Sequence, residues 1–95
     1  MKSASYNQIV IFHTIAQEGS IRGAARKLEI APPSVSQSLK LLESKLGIPL
    51  FRRSTRQMKL TEAGQYLLEN TADAISTLDQ ALEGVQTLSR APSVG

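Results

Sequence analysis

SIRGAARKLEIAPPSVSQSLKLLE, residues 20–43, is the stretch whose reading decides the fold. Ser20 is a good N-cap, because its hydroxyl can accept a backbone N–H of the first helical turn. The helix it opens, residues 20–28, buries Ile21 and Leu28 around Ala24 and Ala25, small side chains that let a neighbouring helix approach closely. After a short turn at 29–31, a further helix is predicted from Pro32 to about Leu46. Proline at the first helical position is preorganised and lacks only an N–H that would have had no intrahelical partner. Gly47 supplies a left-handed stop and Pro49 prevents continuation. At about 100° per residue, Val35, Leu39, Leu42 and Leu46 fall within about 40° of one line. Pro33, Gln37, Lys40 and Ser44 lie opposite, with Ser34 and Ser36 on the flanks. This is the pattern a recognition helix needs: one face held by other helices, and one that offers Gln to adenine, Lys to guanine or phosphate, and Ser to either. An ordinary amphipathic surface helix shows the same pattern, so this helix taken alone does not decide.

The flanking segments decide more. Before the stretch, Ile9, Phe12 and Ala16, with Ile11 and Ile15 alongside, predict a helix over residues 6–18 with a wide buried face, ended by Gly19. His13 sits beside that stripe with no acidic or nucleophilic partner signalled near it, so it reads as a half-buried or surface histidine. After the stretch, LFRRSTRQMKL (residues 50–60) predicts a short hairpin, Leu50–Phe51 against Met58–Leu60, with residues 53–57 at the tip. Arg52, Arg53, Arg56 and Lys59 make it the densest basic cluster of the chain. Placed beside a recognition helix, it would lie over flanking backbone or minor groove, where Arg is favoured by the negative potential.

Thr61 is predicted to cap the last element, with Glu62 in the first turn where the helix dipole favours an acid. The helix can run to about Ser89, roughly 28 residues or about 42 Å. Leu67, Thr71, Ala74, Leu78, Ala81, Val85 and Leu88 form one row, and Leu68, Ile75 and Leu82 a second. So broad a stripe needs cover. Its first half can pack on the helical domain. The second half extends past it and calls for a partner helix, most simply from a second copy in a two-fold dimer. A long helix folded back on its own domain is the alternative.

Composition bounds the rest. Ninety-five residues allow one domain. The chain has no Cys and a single His, which leaves no disulfide framework, thiolate site or His cluster; no metal or cofactor is expected. No apolar run approaches the roughly 18 residues of a membrane span, and the N-terminus has no apolar core of a secretory signal, so an intracellular protein is the default. No nucleophile–base pair or phosphate loop is present, and no catalytic residue is assigned. The net charge of +3 hides an asymmetry: residues 1–60 carry ten Lys/Arg against three acids, and residues 61–95 carry one against five. One end is built to meet a polyanion and the other is not.

Taken together, Phe12, Glu18-Gly19-Ser20, Ala24-Ala25 with Leu28, Pro33, Val35-Ser36, Leu42-Glu43, Leu46-Gly47, Leu50-Phe51, Arg53, Arg56 and Leu60-Thr61 with Ala63-Gly64 stand in order and in register. The chain resembles the N-terminal DNA-binding domain of LysR-type transcriptional regulators over roughly residues 6–89. The resemblance implies a mainly α fold: a winged helix-turn-helix of three helices plus a short β-hairpin wing over residues 1–60, then a linker helix over 61–89 that dimerises with its twin. Residues 90–95 would begin the hinge to a C-terminal effector-binding domain, absent here, through which alone a small-molecule effector would act. It implies a bacterial, cytoplasmic regulator that binds inverted-repeat operator DNA as a homodimer and often bends it. A winged-helix domain of another family, such as the molybdate-responsive regulators, and a protein-interaction module working through the long helix are the alternatives.

The chain departs from the family at the start of the recognition helix. Where the family usually has Ser-Gln-Pro, this sequence has Ala31-Pro32-Pro33. A missing Ser cap costs on the order of 1 kcal/mol, and the prolines remove two backbone donors that could have met a phosphate. Base reading is therefore expected from Pro32, Pro33 (contacting a thymine methyl), Ser36, Gln37 and Lys40. Backbone and wing contacts are expected from Ser20, Arg22, Ser34, Arg52, Arg53, Arg56 and Thr61, with Arg22 standing where the family often has Thr. The dimer interface is expected from Leu67, Thr71, Ala74, Ile75, Leu78, Ala81, Leu82, Val85 and Leu88.

Overall fold

The computed structural model describes residues 6–54 and 57–90. Three short helices come first: α1 (Tyr6–Glu18), α2 (Ile21–Leu28) and α3 (Pro32–Leu46). A hairpin of β1 (Phe51–Arg53) and β2 (Met58–Leu60) follows, and then α4 (Glu62–Arg90). This is a winged helix-turn-helix carrying one long helix.

Local chemistry sets the helix ends. Ser20 Oγ accepts the Gly23 N–H at 2.9 Å and caps α2. Thr61 Oγ1 accepts the Gly64 N–H at 3.1 Å and caps α4. Ala31 makes no side-chain cap at α3, where proline occupies the first two positions. Gly19 (φ 77°) and Gly47 (φ 74°) take left-handed backbone after α1 and α3. After α2 that place falls to Glu29, at φ 59°. There the Ile30 N–H reaches back to the Ala25 carbonyl, closing the turn as a glycine would.

The core is one cluster. Phe12 and Ile15 of α1, Ala24 and Ala25 of α2, Val35, Leu39 and Leu42 of α3, and Leu50 and Phe51 at the wing's root are all buried. Phe12 and Phe51 meet with ring centroids 5.4 Å apart, joining the first helix to the wing. The recognition helix is thus clamped by its leucine face, as its spacing predicts.

The strands pair antiparallel, Phe51 with Leu60, Arg52 with Lys59 and Arg53 with Met58. The first strand starts one residue later than its sequence suggests, because the Leu50 N–H is drawn out of the ladder while its carbonyl still pairs in register. Its N–H goes to the Glu43 carboxylate at 2.6 Å, and its carbonyl takes the Thr61 N–H at 3.0 Å. A bond from the Met58 N–H to the Gly19 carbonyl, 3.1 Å, pins the wing to the corner between α1 and α2.

The long helix runs antiparallel along α1 at its near end. His13 Nε2 bonds Thr71 Oγ1 at 2.5 Å, and the Tyr6 hydroxyl donates to Asp79 Oδ1 at 3.1 Å. Ala63, Leu67 and Leu68 pack on the core. The helix does not fold back: exposure climbs from 47% at Leu78 to 77% at Leu88 as it leaves the head. The described molecule is accordingly elongated, 58 × 29 × 20 Å.

Candidate nucleic-acid interface

Two clefts show which basic groups the fold brings together. One is lined by Ser20, Ile21 and Arg22 at the start of α2 and by Arg53, Ser54, Gln57 and Met58 of the wing. The other is lined by Arg22, Ala25, Arg26, Glu29 and Ile30 together with Pro32, the first residue of α3. Arg22 belongs to both, so wing, second helix and recognition-helix start share one continuous surface.

On α3, Pro32, Pro33, Ser34, Gln37 and Lys40 are exposed and Ser36 is half-buried. Gln37 and Lys40 lie one turn apart, on the side of the helix away from Leu39 and Leu42. The prolines present rings and no N–H, so the helix start offers shape and apolar contact there instead of backbone donors.

On the wing, Arg52, Arg53 and Lys59 are exposed, and the register sets Arg52 directly opposite Lys59. Like charges facing each other across a strand pair are destabilising by a few tenths of a kcal/mol. A polyanion laid over them reverses that sign. Lys59 therefore joins the candidate surface beside Arg52. The sequence placed it in the basic cluster, and the strand register, which composition does not give, puts it opposite Arg52. Arg56 lies outside the described residues.

Among the described residues the one ion pair joins Lys27 to Glu18, at 3.8 Å and largely exposed. Arg22, Lys40, Arg52, Arg53 and Lys59 have no acidic partner there. Ser20 and Thr61 are used structurally. The Thr61 hydroxyl donates to the Pro49 carbonyl at 2.8 Å and accepts from Gly64, so its hydrogen bonding is committed on both sides.

The interface residues expected on α4 divide into two groups. Thr71 is half-buried against His13 of its own chain, and its hydroxyl also donates to the Leu67 carbonyl. Leu67 and Ile75 are half-buried as well. Ala74, Leu78, Ala81, Leu82, Val85 and Leu88 are exposed. Burial holds the His13 imidazole below the usual histidine range, so it sits neutral beside Thr71 at neutral pH. Among the described residues no helix is long and apolar enough to cross a membrane.

Comparison with known proteins agrees with this geometry. The signature described as "Bacterial regulatory helix-turn-helix protein, lysR family" matches residues 6–65. The chain is 40% identical over 88 residues to the HTH-type transcriptional activator CmpR of Synechocystis sp., covering 93% of this chain and 29% of that protein. It thus spans less than a third of that relative's length. Among solved structures it superposes on OxyR of Corynebacterium glutamicum with a TM-score of 0.84 at 35% identity, over 90% of this chain and 27% of that one. It also superposes on the BenM DNA-binding domain in complex with catB site 1 DNA, TM-score 0.81 at 28% identity, over 94% of this chain and 99% of that one. The chain belongs to the lysR family of bacterial regulatory helix-turn-helix proteins.

Proposed function

We propose that this chain is the sequence-specific, double-stranded-DNA-binding domain of a cytoplasmic transcription regulator, acting as a homodimer and catalysing no reaction. Residues 1–60 form the DNA-binding head, 61–89 the linker and dimerisation helix, and 90–95 the start of a hinge. The observation that carries this is the continuous surface joining Arg53 and Arg22 to the start of α3 at Pro32, where Arg22 and Arg53 have no acidic partners among the described residues. The BenM neighbour is a DNA complex of the same fold, which supports it.

In this reading Pro32, Pro33, Ser36, Gln37 and Lys40 meet base edges, while Arg22, Ser34, Arg52, Arg53, Arg56 and Lys59 meet backbone or groove. Ser20 caps α2 as an acceptor and keeps its hydroxyl proton to donate to a phosphate beside Arg22 and Arg53, while Thr61 meets the backbone less directly, through the α4 cap it forms. The exposed row from Ala74 to Leu88 pairs with the same row of a second copy, which carries two recognition helices to major grooves about 34 Å apart or a multiple of that.

Selection from a random duplex pool, followed by titration at several salt concentrations, tests it. A dimer that neutralises about six to ten phosphates loses roughly 10³- to 10⁵-fold in affinity between 50 and 200 mM salt. Arg53→Ala weakens binding to all sequences alike and makes the salt slope shallower by about one for each protomer bound. Leu82→Asp yields monomers by sedimentation equilibrium. A salt-independent affinity, or a pool with no enriched sequence, rules the reading out.

A further inference from the structure

We infer that Glu43 is a positioning residue, locking the recognition helix to the long helix through the Leu50 backbone and so fixing the spacing between half-sites that the dimer accepts. The inference rests on the proposed function as a dimeric DNA reader.

Glu43 lies on α3 but off its base-facing side. Its Oε2 accepts the Leu50 N–H at 2.6 Å and approaches the Phe51 N–H at 3.4 Å. The same short segment is gripped from the other side by Thr61, the N-cap of α4, and by Gly64 in the helix's first turn. Thr61 N–H meets the Leu50 carbonyl at 3.0 Å, and the Thr61 hydroxyl meets the Pro49 carbonyl at 2.8 Å. Gly64 sits so close that a Cβ there would lie 2.1 Å from the Leu50 oxygen. The Leu50 side chain is 1% exposed, sealed in the core. One residue therefore joins α3 by its N–H and α4 by its C=O. The two helices make no extended packing of their own among the described residues, so this backbone is the main polar link between them.

The lever is long. α4 has 29 residues, or about 43 Å at 1.5 Å per residue. A 10° tilt at its base moves the far end by about 7 Å, roughly two base-pair steps of B-DNA. A joint held by a carboxylate and two backbone bonds resists that tilt, whereas one held by apolar contact alone allows it, since burial is non-directional. Glu43 also explains how an acid is tolerated on a helix facing a polyanion: its charge is turned onto backbone N–H groups.

The test uses the 95-residue chain and duplexes carrying two inverted copies of its selected half-site, with spacers lengthened one base pair at a time. The native chain shows one sharp optimum. Glu43→Ala lowers the preference for that optimum over a spacer two base pairs longer by at least about threefold, and leaves affinity for a single half-site within about threefold. Glu43→Gln, which keeps an acceptor oxygen, restores most of the preference. An unchanged spacing profile in Glu43→Ala overturns the inference, as does an equal loss on single and paired sites. If Glu43→Ala does not fold, Gly64→Ala displaces the Leu50 carbonyl from the α4 side; it shifts or flattens the profile, and an unmoved profile overturns the inference. Failure of the native chain to bind any selected half-site removes the DNA-binding reading itself. Half-site binding with no spacing preference removes only the role of Glu43.

Discussion

Replacing Gly64 with Ala drives a methyl group into backbone. The added Cβ lies 2.1 Å from the Leu50 oxygen and 2.9 Å from Leu60 Cδ2, where ordinary contact begins at 3.4 Å. The leucine methyl can rotate away, but the carbonyl cannot, because it is held by the Thr61 N–H and flanked by the buried Leu50 side chain. Relief therefore needs a backbone shift of more than about 1 Å. Overpacking of this kind costs about 1–3 kcal/mol, and weakening the Thr61 bond adds about 0.5–1.5 kcal/mol. The helix propensity of Ala over Gly returns about 1 kcal/mol. The net expectation is a loss of about 1–3 kcal/mol, a sizeable part of the 5–15 kcal/mol of a typical domain. Gly84 is the control: nothing lies within 4 Å of a Cβ there, so Gly84→Ala gains about 1 kcal/mol. Urea unfolding followed by far-UV circular dichroism separates the two, at one fixed protomer concentration because pairing makes stability concentration-dependent. A Gly64→Ala midpoint at or above the native one refutes the close-packing argument.

Other perturbations read other parts of the molecule. Ser20→Ala removes the cap of α2 and costs about 1 kcal/mol, whereas Ala31→Ser offers α3 the side-chain acceptor it lacks and gains up to about that much; thermal melts that move both variants the same way contradict the cap assignment. His13 is held below its ordinary pKa by burial, so the unfolded chain binds its proton more readily. Its contribution to stability is then fully present above the unfolded pKa and falls as pH drops through that value toward the folded one. His13→Gln flattens the part of the stability–pH curve below about 6.5, and a parallel curve for the variant excludes the effect. Gln37→Ala changes preference at one base pair of the selected site by about 1–3 kcal/mol while sparing binding to random DNA; equal losses on both, measured by competition, count against base reading there.

Local features of the fold were legible because they depend on neighbours in sequence. Ser20 as a cap, Gly19 and Gly47 as left-handed stops, and the Val35–Leu39–Leu42–Leu46 face all follow from spacing and intrinsic conformational preference. Contacts made across the chain were not legible. Nothing near Glu43 signals that its carboxylate meets Leu50, and nothing near Gly64 signals that the Leu50 oxygen blocks a side chain. The basic cluster of the wing was visible as composition, yet the facing of Arg52 by Lys59 required the register. On α4, periodicity grouped Thr71 with Leu78 and Leu88, but it cannot tell which part of an apolar row a chain covers by itself. The structure turns Thr71 onto His13 and leaves the row from Ala74 onward largely open, Ile75 excepted. The exposed polar side of α3 was legible as a set of side chains; the link from its first residue, Pro32, to Arg53 through Arg22 depends on the clefts on either side of Arg22.

The left-handed turn between α2 and α3 bears on how such a domain changes over generations. Glu29 holds a backbone conformation, φ 59°, that costs a residue with a Cβ roughly 1–2 kcal/mol and a glycine almost nothing. The head thus carries strain at a position with no assigned role in reading bases. A change to glycine there would release a margin comparable to the average cost of a point substitution, about 1 kcal/mol. A lineage holding that margin can try costlier residues at Gln37 or Lys40 and still fold. A glycine at this turn, which meets the proposed base-reading residues only at the start of α3, would thus widen the set of substitutions on α3 with which the head still folds.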